Sequence, residues 1–229
     1  MTINPSIFKA YNIRGIVDST LTIEGVTLIG KAIGSQVHNG KSVCVGRDGR
    51  LSGPAITKAL IEGIASTGVD VIDIGQTSSP GLYFATHALK TGNGVMVTGS
   101  HNPPEYNGLK IVLDGHAIYG EQIRILLNRI NNKEFDIGDG CVTSENIRDR
   151  YIDRIQSDIQ LSRPMKITID CGNGVAGLFA TAVGLLWIGQ GTGTIPWPRS
   201  SFMVNQLQWA GYGAAMAGFG LVLIWQSNQ

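Results

Sequence analysis

From the N-terminus to about residue 130, short runs of β-branched and apolar residues alternate with longer stretches whose apolar positions recur every three or four residues. Ser42-Val43-Cys44-Val45 predicts a strand, and the segment from Pro54 to about Ser66 a helix. Val69 to Ile74 predicts the next strand and Pro80 to about Leu89 the next helix. Gly94 to Thr98 and Leu109 to Leu113 read as two further strands, followed by a helix from Glu121 to Ile130 whose apolar face is Ile123, Leu126, Leu127 and Ile130. Strands separated by helices of roughly ten or more residues require crossover connections, so the sheet is expected to be largely parallel or mixed and covered by helices. The expectation is a three-layer α/β/α domain over about residues 1–145.

A polar stretch from Asp136 to Arg150 then separates a second unit, expected over about 146–182. Lys166-Ile167-Thr168-Ile169-Asp170 predicts a strand, Cys171-Gly172-Asn173-Gly174 a tight turn, and Val175 onward a helix, which together form the opening of an incomplete second α/β domain. After it the composition changes. From Cys171 to Gln229 the only charged residue is Arg199, and all four tryptophans fall there. Within this tail, 183–229, the run Leu207 to Trp225 is about the length of a short bilayer span, with small residues spaced by four at Gly211/Ala215 and Gly213/Ala217. Gln206, Gln208 and the absence of a closely flanking Lys/Arg cluster weaken that span, and a membrane is not the expected partner.

At 229 residues and 43% apolar content the chain can bury a sizeable core. Its formal net charge of +1 supplies no broad basic field for a nucleic-acid backbone, so a small-molecule partner is expected and no nucleic acid. Cys44, Cys141 and Cys171 are far apart and in no CxxC spacing, which argues against a zinc site and a disulfide framework and for a reducing, cytoplasmic setting. Met1 to Ala10 contains no apolar run of signal-peptide length.

Candidate chemistry gathers where strands end. In Thr98-Gly99-Ser100-His101-Asn102-Pro103-Pro104 a strand runs into a turn stiffened by glycine and two prolines, which sets Ser100 at the carboxyl end of a strand, where open α/β sheets bind ligands. Backbone N–H groups of such a turn can hold an anion. The same four residues Ser-His-Asn-Pro are also ordinary turn formers. Neighbouring residues in extended backbone point to opposite faces, so His101 is expected to be badly placed as a base for Ser100, and no G-x-S-x-G elbow is present. Arg14, Arg47, Arg50 and Lys110 all lie beside glycines at expected strand ends, a set suited to phosphate oxygens.

Four segments in order, Phe8-Lys9-Ala10-Tyr11-Asn12-Ile13-Arg14-Gly15, Val45 to Pro54, Gly94 to Lys110, and Ile169 to Gly177, resemble the α-D-phosphohexomutase family, in its bacterial phosphomannomutase/phosphoglucomutase branch. The resemblance runs from about Ile7 to about Ala182. It implies a phosphoserine at Ser100 that exchanges its phosphoryl group with hexose 1- and 6-phosphates, with glucose 1,6-bisphosphate as activator, in a protein that is monomeric. It also implies Mg²⁺ bound through the Ser100 phosphate. Arg14 and Lys110 match basic residues of the site, Lys110 also a candidate acid–base; Tyr11 matches a residue near the sugar and His101 one close to the phosphoserine. Arg47, Arg50 and Asn102 are expected to support the phosphate site.

Two departures stand beside this resemblance. Asn12 occupies a position where the branch usually has aspartate. After about Ala182 the family continues to an Asp-Gly-Asp-Gly-Asp-Arg loop that binds Mg²⁺ and to two further domains, and none of these is found in this sequence. Three readings of the later residues stay open: an out-of-frame or truncated product, a membrane anchor, and a divergent soluble extension. Two functions follow, a phosphohexomutase whose chain is inactive alone, or a non-catalytic sugar-phosphate-binding fragment or membrane-tethered pseudoenzyme. Glucose and mannose preference is left undecided.

Overall fold

The computed structural model describes residues 3–37, 41–159, 174–198 and 201–227, in two compact units, Met1–Gln160 and Leu161–Gln229. The first is built from β1 (Ile13–Ile16), α1 (Ile23–Gly34), β2 (Val43–Arg47), α2 (Gly53–Ala65), β3 (Val71–Gln76), α3 (Ser79–Ala88), β4 (Gly94–Val97), β5 (Tyr106–Leu113), β6 (His116–Ala117), α4 (Glu121–Asn132), β7 (Val142–Ser144) and α5 (Arg148–Asp158). The sheet order is β1-β5-β4-β2-β3-β7, with β6 on β5. β2, β3, β4 and β7 run parallel, while β5 is antiparallel to both β1 and β4. The expected mixed sheet between helices is therefore present.

Period-two alternation sorts the side chains into two cores. Val43, Val45, Val95, Val97, Leu109 and Ile111 face α1, α2 and α4, where they meet Ile29, Ile33, Leu60, Ile64 and Leu126. Cys44, Ile74 and Met96 point the other way, to Leu82 and Ala85 of α3 and to Ile147. Helix starts are fixed locally. The Thr22 hydroxyl accepts from the Gly25 N–H at 3.1 Å before α1, and Ser78 accepts from Gly81 at 3.2 Å before α3. α1 and α2 cross at a pair of glycines: a Cβ on Gly30 would lie 3.0 Å from the Gly63 Cα, and one on Gly63 3.1 Å from the Gly30 Cα.

The first unit continues past residue 145, to Gln160, and its sheet takes in a strand just before residue 145. Val71, Ile72 and Asp73 of β3 pair with Val142, Thr143 and Ser144 of β7. Ile147 is buried, the Tyr151 ring lies 5.3 Å from that of Phe84, and Arg150 donates to the Ala88 carbonyl at 3.2 Å. The stretch 136–150, read as a separator, is thus an edge strand and the lead into a helix that packs on α3. All three β7 residues are exposed and α5 contains no buried residue, so neither had an apolar pattern to show.

In the second unit the strand expected at Lys166–Asp170 and the turn from Cys171 lie outside the described residues. The expected helix is present as α6 (Gly174–Gly191), and the tail adds α7 (Leu207–Ser227). The two form an antiparallel hairpin: Gly184 packs on Gly213 and Ala217, and Gly191 on Ala210. Trp187 and Trp209 meet edge to face at 5.3 Å. Gly213 and Ala217, one of the two small-residue pairs noted in the sequence, line this seam, whereas Gly211 faces open space.

Candidate active site

The parallel strands β2 and β4 end side by side, Arg47 opposite Val97, and each is followed by a loop. The loop after β4 holds Ser100. Its backbone is left-handed, φ 55°, a conformation uncommon for residues other than glycine. The Ser100 N–H donates to the Thr98 hydroxyl at 2.8 Å, and its carbonyl accepts from Arg50 Nη2 at 2.9 Å. Ser100 is exposed, so a pinned peptide presents its hydroxyl to solvent.

The loop after β2 grips the Ser100 turn. Asp48 accepts from the Arg50 N–H at 3.0 Å and from the Gly99 N–H at 3.3 Å. The Arg50 guanidinium enters the turn and donates to four of its carbonyls, Ser100 and Asn102 through Nη2 and Pro103 and Tyr106 through Nη1. Its Nε lies 3.5 Å from Asp48. A Cβ on Gly99 would occupy the space of that guanidinium, which is why glycine stands before the serine. Arg50 therefore acts on the loop backbone, its donors turned away from any phosphate on Ser100.

His101 differs from the expectation in its geometry. Its Nδ1 lies 3.3 Å from Ser100 Oγ, because the left-handed turn at Ser100 removes the extended backbone that would have sent the two side chains apart. Among the described residues no carboxylate bonds His101, so the third member of a hydrolytic triad is not supplied.

Arg14 and Lys110 come to one sheet face. Arg14 on β1 is opposite Gly108 on β5, and Lys110, two residues along β5, is opposite Met96, so both side chains leave the sheet away from the α1/α2 core. A Cβ on Gly108 would crowd the Ile13 carbonyl and the Arg14 Cα, so the bare glycine lets β1 approach. Arg14 Nη1 donates to Asn102 Oδ1 at 3.2 Å, and Asn102 Nδ2 donates to the Gly99 carbonyl at 2.6 Å, which links β1 to the serine turn. Arg47 follows Val45 on the opposite, α2-side face and is not brought to Arg14 and Lys110. Tyr11 is 75% exposed ahead of β1, its ring 6.5 Å from that of Tyr119. Asn12 Oδ1 is buried without a hydrogen-bond partner, so a neutral amide costs less there than a carboxylate.

Among the described residues no three His, Cys, Asp or Glu side chains converge as a metal site, and Asp48, whose carboxylate bonds the serine turn, is committed to Gly99 and Arg50. An octahedral oxygen shell for Mg²⁺ is not assembled by these residues. Asp48 and Thr98 were not singled out from the sequence; the signal for Asp48 is an acidic residue two positions before an arginine in a glycine loop.

The family described as phosphoglucomutase/phosphomannomutase, alpha/beta/alpha domain I, matches residues 5–136. This chain belongs to that family. A phosphomannomutase/phosphoglucomutase of Pseudomonas aeruginosa is 49% identical over 181 residues, 78% of this chain and 39% of that protein. A phosphoglucomutase of Neisseria meningitidis is 47% identical over 178 residues, 76% of this chain and 39% of the relative. The crystal structure of a phosphoglucomutase/phosphomannomutase family protein from Burkholderia thailandensis superposes with a TM-score of 0.71 at 46% identity, covering 80% of this chain and 42% of that one. The chain thus spans about two fifths of the length of these phosphohexomutase relatives.

Proposed function

We propose that Ser100 is the phosphoryl carrier of a phosphohexomutase acting on glucose or mannose 1- and 6-phosphates. The observation that carries this reading is the serine turn itself: a left-handed Ser100 tied at both its N–H and its carbonyl, with an exposed hydroxyl beside His101 and the Asn102–Arg14 link. Fixing a reacting group in this way removes entropy from the barrier. In the forward step a substrate hydroxyl attacks the phosphorus of phosphorylated Ser100 and loses its proton to a base. The bond from phosphorus to Oγ breaks, and Oγ takes up a proton. The returning step repeats this in reverse from the other phosphate of the bisphosphate. Lys110 is the candidate for proton transfer and Arg14 for holding phosphate oxygens. Mg²⁺, where bound in the family, neutralises charge on the transferred group; the residues here do not assemble its shell, and no step is drawn through it.

Incubating the purified chain with glucose 1,6-bisphosphate and mapping phosphopeptides is expected to label Ser100, with the label lost in Ser100→Ala. A label on another serine, with Ser100 unmodified, would remove this mechanism. A second reading, sugar-phosphate binding without turnover, is favoured by Asp48, whose carboxylate is committed to the Gly99 and Arg50 N–H groups rather than left open to a metal ion. The two separate on whether labelled Ser100 gives its phosphoryl group to added glucose 1-phosphate, read by a coupled dehydrogenase assay. Net turnover is expected to stay near background, because phosphoryl transfer depends on positioned charge.

A further inference from the structure

We propose that Arg50 is the positioning residue of the serine turn: its guanidinium, not the chain stiffness of the turn, fixes the conformation in which Ser100 is presented. The inference deepens the reading of Ser100 as phosphoryl carrier and rests on it for its functional consequence. Four carbonyls of one turn, those of Ser100, Asn102, Pro103 and Tyr106, point inward at a single side chain from another loop, at 2.9, 2.5, 2.7 and 3.0 Å. Convergent carbonyls repel one another unless a cation with several donors stands between them. Within the turn itself the order comes from Asn102, whose N–H and side-chain amide both reach Gly99, and from the Tyr106 N–H on Pro103. Those bonds close its two ends, and none of them reaches the Ser100 carbonyl.

The arrangement is held from behind as well. Asp48 bonds the Arg50 N–H, approaches its Nε and accepts from Gly99, so the guanidinium is aimed by a carboxylate that also touches the turn. The arginine side chain is 15% exposed and the partners of both its Nη groups are backbone carbonyls, so the geometry uses the planar fork rather than the charge alone. Lysine has a single donor centre and cannot bridge four carbonyls in that plane. The missing Cβ at Gly99 completes the fit, since any larger residue would push the guanidinium out.

The test is hydrogen exchange by mass spectrometry on the whole 229-residue chain, compared among wild type, Arg50→Ala, Arg50→Lys and Gly99→Ala. Arg50→Ala and Arg50→Lys should speed exchange in the turn from Gly99 to Tyr106 by about tenfold or more, while β2 and β4 exchange as in wild type. Guanidinium chloride at sub-denaturing concentration should slow the Arg50→Ala turn again, which a purely structural loss would not allow. Gly99→Ala should copy Arg50→Ala with its arginine still in the chain, and it decides the matter if Arg50→Ala fails to fold. Turn exchange at the wild-type rate in Gly99→Ala, or equal acceleration across turn and sheet in every variant, would overturn the proposal. Ser100 phosphorylation by glucose 1,6-bisphosphate should fall more than about tenfold in Arg50→Ala and recover with guanidinium. If wild type takes no label, the carrier reading fails, and the exchange comparison still settles the role of Arg50.

Discussion

The Cys44 thiol is buried in the face of β2 that meets α3, 3.4 Å from the Thr91 hydroxyl. Burial pushes its pKa up; the Thr91 contact pulls back part of the way, and the Glu145 carboxylate adds to the rise. A thiol whose folded pKa is raised keeps its contribution to stability below the ordinary thiol range, about 8.5, and loses it as pH climbs toward the raised value. Stability of the first unit should therefore decline on the alkaline side. Under mildly alkaline alkylation, exposed Cys141 should be modified while Cys44 is modified only on unfolding. Peptide mapping after iodoacetamide reads this directly, and early labelling of Cys44 would count against its burial. At the same scale the sequence indicated which residues gather at the serine turn better than which way they point. Ser100, Arg14 and Lys110 could be picked from strand ends beside glycines, and Asn102 from the turn segment that holds Ser100. The left-handed φ at Ser100, which brings His101 within 3.3 Å, and the turning of Arg50 onto carbonyls depend on contacts between loops some fifty positions apart.

Among elements, the crossing of α1 and α2 gives a case where two effects oppose each other. Alanine is a better helix former than glycine by about 0.8–1 kcal/mol. Yet a Cβ on Gly63 would overlap the Thr27 carbonyl and crowd the Gly30 Cα, both backbone atoms that cannot rotate aside. Overpacking of that kind costs about 1–3 kcal/mol, so Gly63→Ala should lower the urea midpoint despite its higher propensity. A raised midpoint would mean that the helices part easily. The elements legible in the sequence were those with a strong pattern: β2, β3, β4, β5, α2, α3 and α4 lie within a few residues of their expected places. β1 was visible only as a motif, since it is four residues long and gives one side chain, Ile13, fully to the core. β7 and α5 showed nothing because an edge strand and a surface helix bury too little to leave a periodicity.

For the whole molecule, the contrast lies between a first unit with a large buried core and a hairpin whose large apolar side chains are mostly exposed. Phe179 on α6 and Phe219 and Trp225 on α7 are 70%, 59% and 62% exposed. Among the described residues one helix, Leu207–Trp225, is long and apolar enough to cross a membrane. Exposed apolar surface on this scale drives association. Phe179→Lys combined with Phe219→Glu should reduce self-association in sedimentation experiments and leave the thermal transition of the first unit in place. Unchanged sedimentation would show that these rings are not the sticky surface. The sheet order carries a different consequence, for assembly in time. Ile13 and Arg14 hydrogen-bond in register with Leu109 and Gly108, so the N-terminal strand has no partner until β5 has left the ribosome. Strands β2, β3 and β4 and their helices can dock before that, whereas β1 must wait as an unpaired ribbon. During synthesis, then, Arg14 reaches Asn102 in a late event, and a nascent chain whose emerged part stops short of Leu109 would hold an ordered parallel sheet with no arginine at its serine turn from the first strand.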